Sequence, residues 1–248
     1  MCGYNHPFGA VSIKGQNLRS APHRLSGFTL LEMSIVLLIM GLLLGSVMRP
    51  MGGAIKERQR SETQMLLVEI REAIIGFASV HRRLPCPVSA ATAGTLQGNA
   101  QCVIEHGYVP AAVLGVSGQY NDDGLLVDSW GQPIGYHVSL SDANGNGLPD
   151  FTTTDEMRQV GMQNLTPGYE VCDATNCSQL RANNLPAVLV SDAGTAHTSA
   201  DEIENRDGDT RFVSRDLDLA GQDQFDDIVI WLSGNILYTR LLQAQVLP

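Results

Sequence analysis

One long apolar stretch constrains this chain more than any other feature of its sequence. Residues 28–48 carry a single charged side chain, Glu32, and are otherwise uncharged. As a helix rising about 1.5 Å per residue, this stretch would extend about 32 Å, which is enough for a bilayer core about 30 Å thick. We therefore predict a transmembrane helix over residues 28–48. Glu32 lies either inside the membrane or, if the helix begins after it, at the interface.

Charge is distributed unevenly around this stretch. Residues 1–31 contain no Asp or Glu and carry Lys14, Arg19 and Arg24, whereas the whole chain has a formal net charge of −10. Nucleic-acid binding requires clustered Lys and Arg to neutralise phosphates, so we predict no nucleic-acid partner. A multi-pass membrane protein is excluded, because no second stretch is long enough and apolar enough to span a bilayer.

The residues at the start of the apolar stretch form a motif. Gly27 and Phe28, with Glu32 four residues further on and an apolar helix behind it, resemble the leader and first helix of type IV pilins and type II secretion pseudopilins. The resemblance implies that a prepilin peptidase removes residues 1–27 by cutting after Gly27 and methylates the new amino terminus at Phe28. Two other interpretations stay open, a secretory signal peptide cleaved near residues 52–54 and an uncut membrane anchor.

This resemblance also implies a role and a location. The chain would be a single-pass protein of the bacterial inner membrane with a periplasmic head, assembled into a type IV pilus or a type II secretion pseudopilus. Its partners would be the prepilin peptidase, other pilin or pseudopilin subunits, the inner-membrane assembly platform and membrane lipid. Glu32 would pair with the amino terminus of a neighbouring subunit. The 221 residues that follow the leader (248 minus 27) resemble a minor subunit. The alternative is a periplasmic binding protein, soluble or tethered, outside any filament.

The periodicity downstream predicts a second helical half. Apolar residues recur every three or four positions between residues 54 and 82, which is typical of an amphipathic helix. The apolar positions are Leu66, Ile70, Ala73, Phe77 and Val80, and the stripe is widened by Leu67, Ile74 and Ala78. Pro50, Gly52 and Gly53 lie between the two halves, and they predict a helix break because proline lacks an amide hydrogen and glycine disfavours helix. The break would be either a local weakening, as in type IV pilins, or a loop that ends the anchor.

The remaining residues predict a mixed head. Runs rich in β-branched residues at 186–191 and 227–233 have the length and composition of buried strands. With the resemblance, these elements predict an α+β fold, a pilin-like lollipop in which a long N-terminal helix packs on a β-rich head. We expect the leader at 1–27, the helix at 28–83 and the periplasmic head at 84–248.

The cysteines bear on the cellular compartment. Of the 5 cysteines, Cys2 lies in the predicted leader, which leaves an even number. Proximity in sequence suggests two disulfides, Cys86 with Cys102 and Cys172 with Cys177, and such pairs are typical of an oxidising periplasm. Four cysteines allow three connectivities. A zinc site is the alternative, although no Cys-x-x-Cys spacing supports it.

One segment of the head follows the pattern of a metal-binding loop. Oxygen-bearing side chains alternate at Asp142, Asn144 and Asn146, and after a glycine the pattern continues to Asp150. This is the first part of an EF-hand calcium loop. The closing Glu is missing because Thr153 occupies its position. The segment therefore predicts either weak calcium binding or an ordinary turn, and no other cofactor is expected.

Motifs of catalysis do not occur in this sequence. Neither Gly-x-Ser-x-Gly, His-Glu-x-x-His nor a phosphate-binding Gly-x4-Gly-Lys is present. An acidic stretch at 201–209 offers Asp207 and Asp209 to a metal, although a solvated acidic loop is the simpler interpretation. We predict that the protein is not an enzyme.

Overall fold

The structure is a computed structural model of the 248-residue chain. It describes residues 27–95, 102–194, 199–220 and 223–247, without the side chains of residues 45–52. The predicted leader lies outside the described residues except for Gly27. Contacts divide the chain into two compact units, Met1–Met51 and Gly52–Pro248.

Helices and strands both contribute to the described part of the chain, in agreement with the predicted mixture of the two. The helices are α1 (Leu30–His81), α2 (Ala111–Leu114), α3 (Glu156–Val160), α4 (Ala200–Glu204) and α5 (Gly234–Gln243). The strands are β1 (His106–Tyr108), β2 (Gln119–Tyr120), β3 (Leu126–Val127), β4 (Gly135–Val138), β5 (Tyr169–Cys172), β6 (Leu180–Leu185), β7 (Ala187–Ser191), β8 (Arg211–Val213) and β9 (Ile228–Leu232).

The first helix begins before Glu32. Thr29 Oγ1 accepts a hydrogen bond from the Glu32 amide at 3.2 Å, and the Thr29 carbonyl accepts one from the Met33 amide at 3.1 Å. A Thr followed three residues later by Glu is a helix-start signal, and an acid in the first turn interacts favourably with the helix dipole. The interpretation in which the helix begins after Glu32 is therefore wrong.

The predicted break at Pro50, Gly52 and Gly53 does not interrupt the helix. The backbone is helical throughout α1, from Leu30 to His81. Proline removes one backbone hydrogen bond and the glycines only lower the helix propensity, so the bonds on either side still sustain the helix. The loop interpretation is therefore wrong, and local weakening during assembly stays a prediction.

The head extends further towards the N-terminus than the predicted boundary at residue 84. The second compact unit includes the C-terminal half of α1, because Leu67, Ile70 and Ile74 are at most 1% exposed and belong to the main core of the head. The predicted stripe therefore lies on the buried face of the helix: Phe77 is also buried, and Leu66 and Ala73 are partly buried against this core. Val80, at the end of the predicted stripe, is 75% exposed.

Four strands form the central sheet of the head. They are antiparallel and follow the order β1-β4-β7-β9. β7 and β9 confirm the strands predicted at 186–191 and 227–233. A three-stranded sheet in the order β6-β5-β8 and the pair β2-β3 complete the strand pairing of the described residues.

Both faces of the central sheet are buried. Side chains alternate between the two faces of a strand, so on β7 Leu189 enters the main core with the apolar face of α1. Val188 and Val190 point to the other face and pack with Tyr169 and Phe212 in a second core. This double burial explains why the sequence of β7 is an unbroken apolar run instead of an alternation.

Candidate functional site

The predicted cleavage position lies in non-helical backbone just ahead of α1. Gly27, Phe28 and Thr29 belong to neither a helix nor a strand, and the Phe28 side chain is 72% exposed. Among the described residues, a Cβ atom added to Gly27 would meet no atom within 4 Å apart from those of its chain neighbours. The peptide bond after Gly27 is therefore sterically open, as a site of proteolysis must be.

The first half of α1 presents an apolar surface. Every side chain from Phe28 to Leu44 is exposed, and Leu30 reaches 93%. Exposed apolar patches of this extent mark contacts with membranes or with other protein chains. Glu32 lies in the first turn of the helix, so this surface carries its charge at one end.

The described residues do not decide whether the predicted transmembrane span crosses a membrane. Among the described residues, no helix combines the length and the apolar character that crossing a membrane requires. The predicted span at 28–48 runs into residues 45–52, whose side chains are not described. The span stays a prediction.

The head contains two disulfides. The structure joins Cys86 to Cys102 and Cys172 to Cys177, the two pairs that proximity in sequence suggested. Zinc is bound by thiolates, and sulfurs that are bonded to each other are not thiolates. The zinc alternative is therefore wrong for these four cysteines.

Loss of the first disulfide is expected to destabilise the head more than loss of the second. The sequence separations are 16 and 5 residues. Because a longer loop constrains the unfolded chain more, we expect the Cys86→Ala/Cys102→Ala variant to lose about 3 kcal/mol of unfolding free energy and the Cys172→Ala/Cys177→Ala variant about 2 kcal/mol. Urea unfolding of the full chain in mild detergent measures both losses. A larger loss for the shorter loop contradicts this expectation.

The predicted calcium loop folds as a series of tight turns. The Asp142 carboxylate accepts hydrogen bonds at 2.7–3.1 Å from three successive backbone amides, those of Gly145, Asn146 and Gly147. Asn144 Oδ1 accepts a further bond from the Asn146 amide at 3.0 Å. Gly147, at the predicted bend, has a φ of +83°, a left-handed conformation that other residues disfavour. The sequence of the loop is therefore matched to its backbone.

A carboxylate that the sequence spacing did not reveal lies against this loop. Glu156, the first residue of α3, is 1% exposed, and its Oε1 accepts hydrogen bonds from the side-chain amides of Asn144 at 2.8 Å and Asn146 at 2.6 Å. The expected position of the closing Glu is Thr153, three residues earlier. Asp155, with a φ of 65°, turns the chain immediately before Glu156. Glu156 therefore reaches the loop from a neighbouring helix, which no fixed spacing in a loop motif would indicate.

Asp150, the last of the predicted ligands, is fully buried. Its Oδ2 accepts a hydrogen bond from the Ala143 amide at 3.0 Å. Burial is the main cause of a raised pKa of the Asp150 carboxyl, and the charges of Asp142 and Glu156 raise this pKa further, against the Ala143 hydrogen bond. The structure thus brings the four predicted ligands and Glu156 into one region.

Two further groups of carboxylates involve the acidic stretch at 201–209. Asp207 and Asp209 form with Glu204 a group whose carboxylate oxygens lie within 4.8 Å of one another, but both aspartates are exposed. A second group consists of Glu202, Asp226 and Asp227, again with oxygens within 4.8 Å, and all three are buried. Glu202 lies in α4, and Asp226 and Asp227 lie immediately before β9, so the fold brings together residues that are distant in the sequence.

Asp227 is the most perturbed member of this buried group. Burial is the main cause that raises its pKa to about 8, and the charges of Asp192, Glu202 and Asp226 act in the same direction. The Asn205 side-chain amide donates a hydrogen bond to Asp227 Oδ2 at 2.8 Å, which opposes the rise. Burial and the neighbouring carboxylates therefore favour the protonated form of the Asp227 carboxyl in the folded protein.

The Asp227→Asn variant is expected to lose the part of the pH dependence of the unfolding free energy that comes from the Asp227 carboxyl. Between the pKa of the unfolded chain, about 3.9, and the folded value of about 8, only the folded state holds the Asp227 proton. Stability therefore falls as pH rises through this window, by up to about 1.4 kcal/mol per pH unit, and asparagine removes this contribution. Urea unfolding at pH 5 and pH 7 measures it. Equal slopes for variant and wild type would contradict the assignment.

Comparison with known proteins identifies the N-terminal segment. Residues 23–48 match the family described as the prokaryotic N-terminal methylation motif, and the match includes Gly27, Phe28 and Glu32. No curated protein and no solved structure matches the chain. Residues 23–48 are the prepilin-type signal of type IV pilins and pseudopilins.

Proposed function

We propose that this chain is a structural filament subunit, processed by a prepilin peptidase and assembled into a type IV pilus or a type II secretion pseudopilus. The prepilin-type signal at residues 23–48 is the observation that carries the proposal. The peptidase cuts after Gly27 and methylates the new amino terminus at Phe28. The sterically open backbone at this bond and the exposed Phe28 side chain support this role.

Cleavage after Gly27 creates a positively charged amino group that can pair with the Glu32 carboxylate. Before processing, Glu32 is the single charged side chain of an apolar segment, where an unpaired carboxylate costs about 2.5–3.5 kcal/mol. After processing, the amino group of Phe28 adds a positive charge near the start of α1. Pairing between Glu32 of one subunit and the amino group of its neighbour neutralises both charges and fixes the register of the two helices.

The exposed apolar half of α1 occupies two environments in turn, one before assembly and one after it. It lies in the inner membrane before assembly and in the filament interior afterwards, and both environments bury the surface from Phe28 to Leu44. Its partners are membrane lipid, the assembly platform and other pilin or pseudopilin subunits. The prepilin-type signal indicates a structural subunit and not an enzyme.

The head supports a periplasmic location and a minor role in the filament. Its two disulfides are typical of an oxidising compartment. The 221 residues after the proposed cleavage site (248 minus 27) resemble a minor subunit. We infer that the chain is a minor component.

Fractionation of the producing bacterium tests filament membership. An epitope-tagged chain is followed through membrane, soluble periplasmic and sheared-filament fractions, in cells with and without the assembly platform. We expect the chain in the filament fraction only when the platform is present, in fewer copies than the main subunit. Recovery in the soluble periplasm regardless of the platform would favour the alternative, a periplasmic binding protein.

A further inference from the structure

We propose that Asp142, Asn144, Asn146, Asp150 and Glu156 bind one calcium ion, with Glu156 as the closing ligand. The first four residues supply oxygens at positions 1, 3, 5 and 9 of an EF-hand-type loop. Glu156 takes the place of the acidic residue that such loops carry at position 12. This inference rests on the head alone and is independent of filament membership.

Asp150 supplies an observation that is independent of the loop motif. The residue is 0% exposed, and within the described part of the chain its Oδ1 is buried without a hydrogen-bond partner. The Ser141 hydroxyl is near enough to lower the pKa of Asp150, yet neither Ser141 Oγ nor Asp150 Oδ1 completes a hydrogen bond of normal geometry. A buried carboxylate oxygen is costly to leave unpaired. A cation coordinated by Oδ1 would remove this cost.

The charge of the site also favours a cation. Asp142, Asp150 and Glu156 are three carboxylates around one loop, and among the described residues none of them forms an ion pair with a basic side chain. Glu156 instead contacts two neutral amides, those of Asn144 and Asn146. Calcium prefers such a set of carboxylate and amide oxygens. Binding requires Glu156 to exchange its bonds with the amides for a bond with the ion.

The position of the loop indicates what the ion would stabilise. The residues around the loop contact the C-terminal end of α1, because Arg82 pairs with Asp155 at 3.1 Å and the Leu84 amide donates a hydrogen bond to the Phe151 carbonyl at 2.7 Å. Calcium bound at Asp150 and Glu156 would hold the two residues that flank these contacts. We therefore expect calcium to stabilise the junction between α1 and the sheet of the head.

Calcium titration of the full chain in mild detergent, after treatment with EGTA, tests the site. Calorimetry measures binding, and thermal unfolding with and without calcium measures stabilisation. For wild type we expect heat of binding and a higher unfolding temperature in calcium, because an ion that binds only the folded state stabilises it. Magnesium should bind more weakly, because it requires a tighter octahedral arrangement.

Two conservative variants and one control locate the ion. Glu156→Gln keeps an oxygen for the Asn144 and Asn146 amides but removes the charge, and Asp142→Asn acts in the same way at the other side of the loop. We expect each to weaken calcium binding by at least about tenfold, in line with the dependence of affinity on ligand charge. Asp207→Asn removes an exposed acid from the other group and should bind as wild type does.

The outcomes distinguish calcium binding at the loop from binding at the exposed group around Asp207 and from no binding. Absence of calcium heat in wild type overturns the proposal, as does unchanged binding in both loop variants. Binding that is lost only in Asp207→Asn assigns the ion to the exposed group and also overturns it. If Glu156→Gln fails to fold in EGTA, Asp142→Asn alone decides the question by the same criterion.

Discussion

The Gly27→Leu variant is expected to remain unprocessed in cells that contain an active prepilin peptidase. The full-length chain should accumulate in the membrane fraction, and the mature form should fall to below about one hundredth of the wild-type amount. Among the described residues, a Cβ added to Gly27 would meet no atom within 4 Å beyond its chain neighbours, so this position has space for a side chain. Loss of processing in Gly27→Leu would therefore reflect weaker recognition by the peptidase. Immunoblotting of the head measures the ratio of the two forms.

Gly41→Leu is the matched control for this prediction. Gly41 lies in the same apolar segment, and an added Cβ there would likewise meet no described atom within 4 Å outside its own stretch of helix. Leucine is also a good helix former. We expect normal processing of Gly41→Leu. Processing of Gly27→Leu at the wild-type level would contradict the assigned cleavage position, whereas loss of processing in both variants would indicate a general defect of membrane insertion.

Replacement of Glu32 by alanine is expected to leave processing intact and to abolish assembly. Without the Glu32 carboxylate, the amino group of the neighbouring subunit has no partner in an apolar environment, at a cost of a few kcal/mol. Because each 1.4 kcal/mol corresponds to a factor of about ten, incorporation into filaments should fall by at least about tenfold. Quantification of the chain in the sheared-filament fraction measures this effect.

Two further substitutions show whether the charge at Glu32 or a general property of the helix is responsible. Glu32→Asp retains the carboxylate and should assemble better than Glu32→Ala. Glu57→Ala removes an exposed acid from the same helix, outside the apolar segment, and should assemble normally. Normal incorporation of Glu32→Ala would refute pairing between neighbouring subunits, even if cleavage after Gly27 were intact.

Local patterns in the sequence predict the parts of the fold that depend on them. The apolar runs at 186–191 and 227–233 predict β7 and β9, because strands buried on both faces have such composition. The limits of α1 are less predictable. The capping bond at Thr29 extends the helix to a point before Glu32, and the helix continues through Pro50 because one missing hydrogen bond does not stop it.

Some residues of the candidate sites are close together in the sequence, whereas others come together only in the folded chain. The residues of the cleavage motif lie close together in the chain, and so do the first four proposed calcium ligands, so the sequence alone suggests both. Glu156 reaches the loop only through the turn at Asp155, and Asp227 meets Glu202 only because the fold brings the residues before β9 close to α4. Contacts between separate elements depend on the tertiary structure, and no spacing rule contains them.

The amino terminus of the mature protein tests the central claim most directly. Mass spectrometry of the chain purified from its own bacterium, after digestion, identifies the first residue and any modification on it. Processing as a prepilin predicts a peptide that starts at Phe28 and carries an additional methyl group on its amino nitrogen. A peptide that starts near Ala54, or one that retains residues ahead of Phe28, would contradict the account.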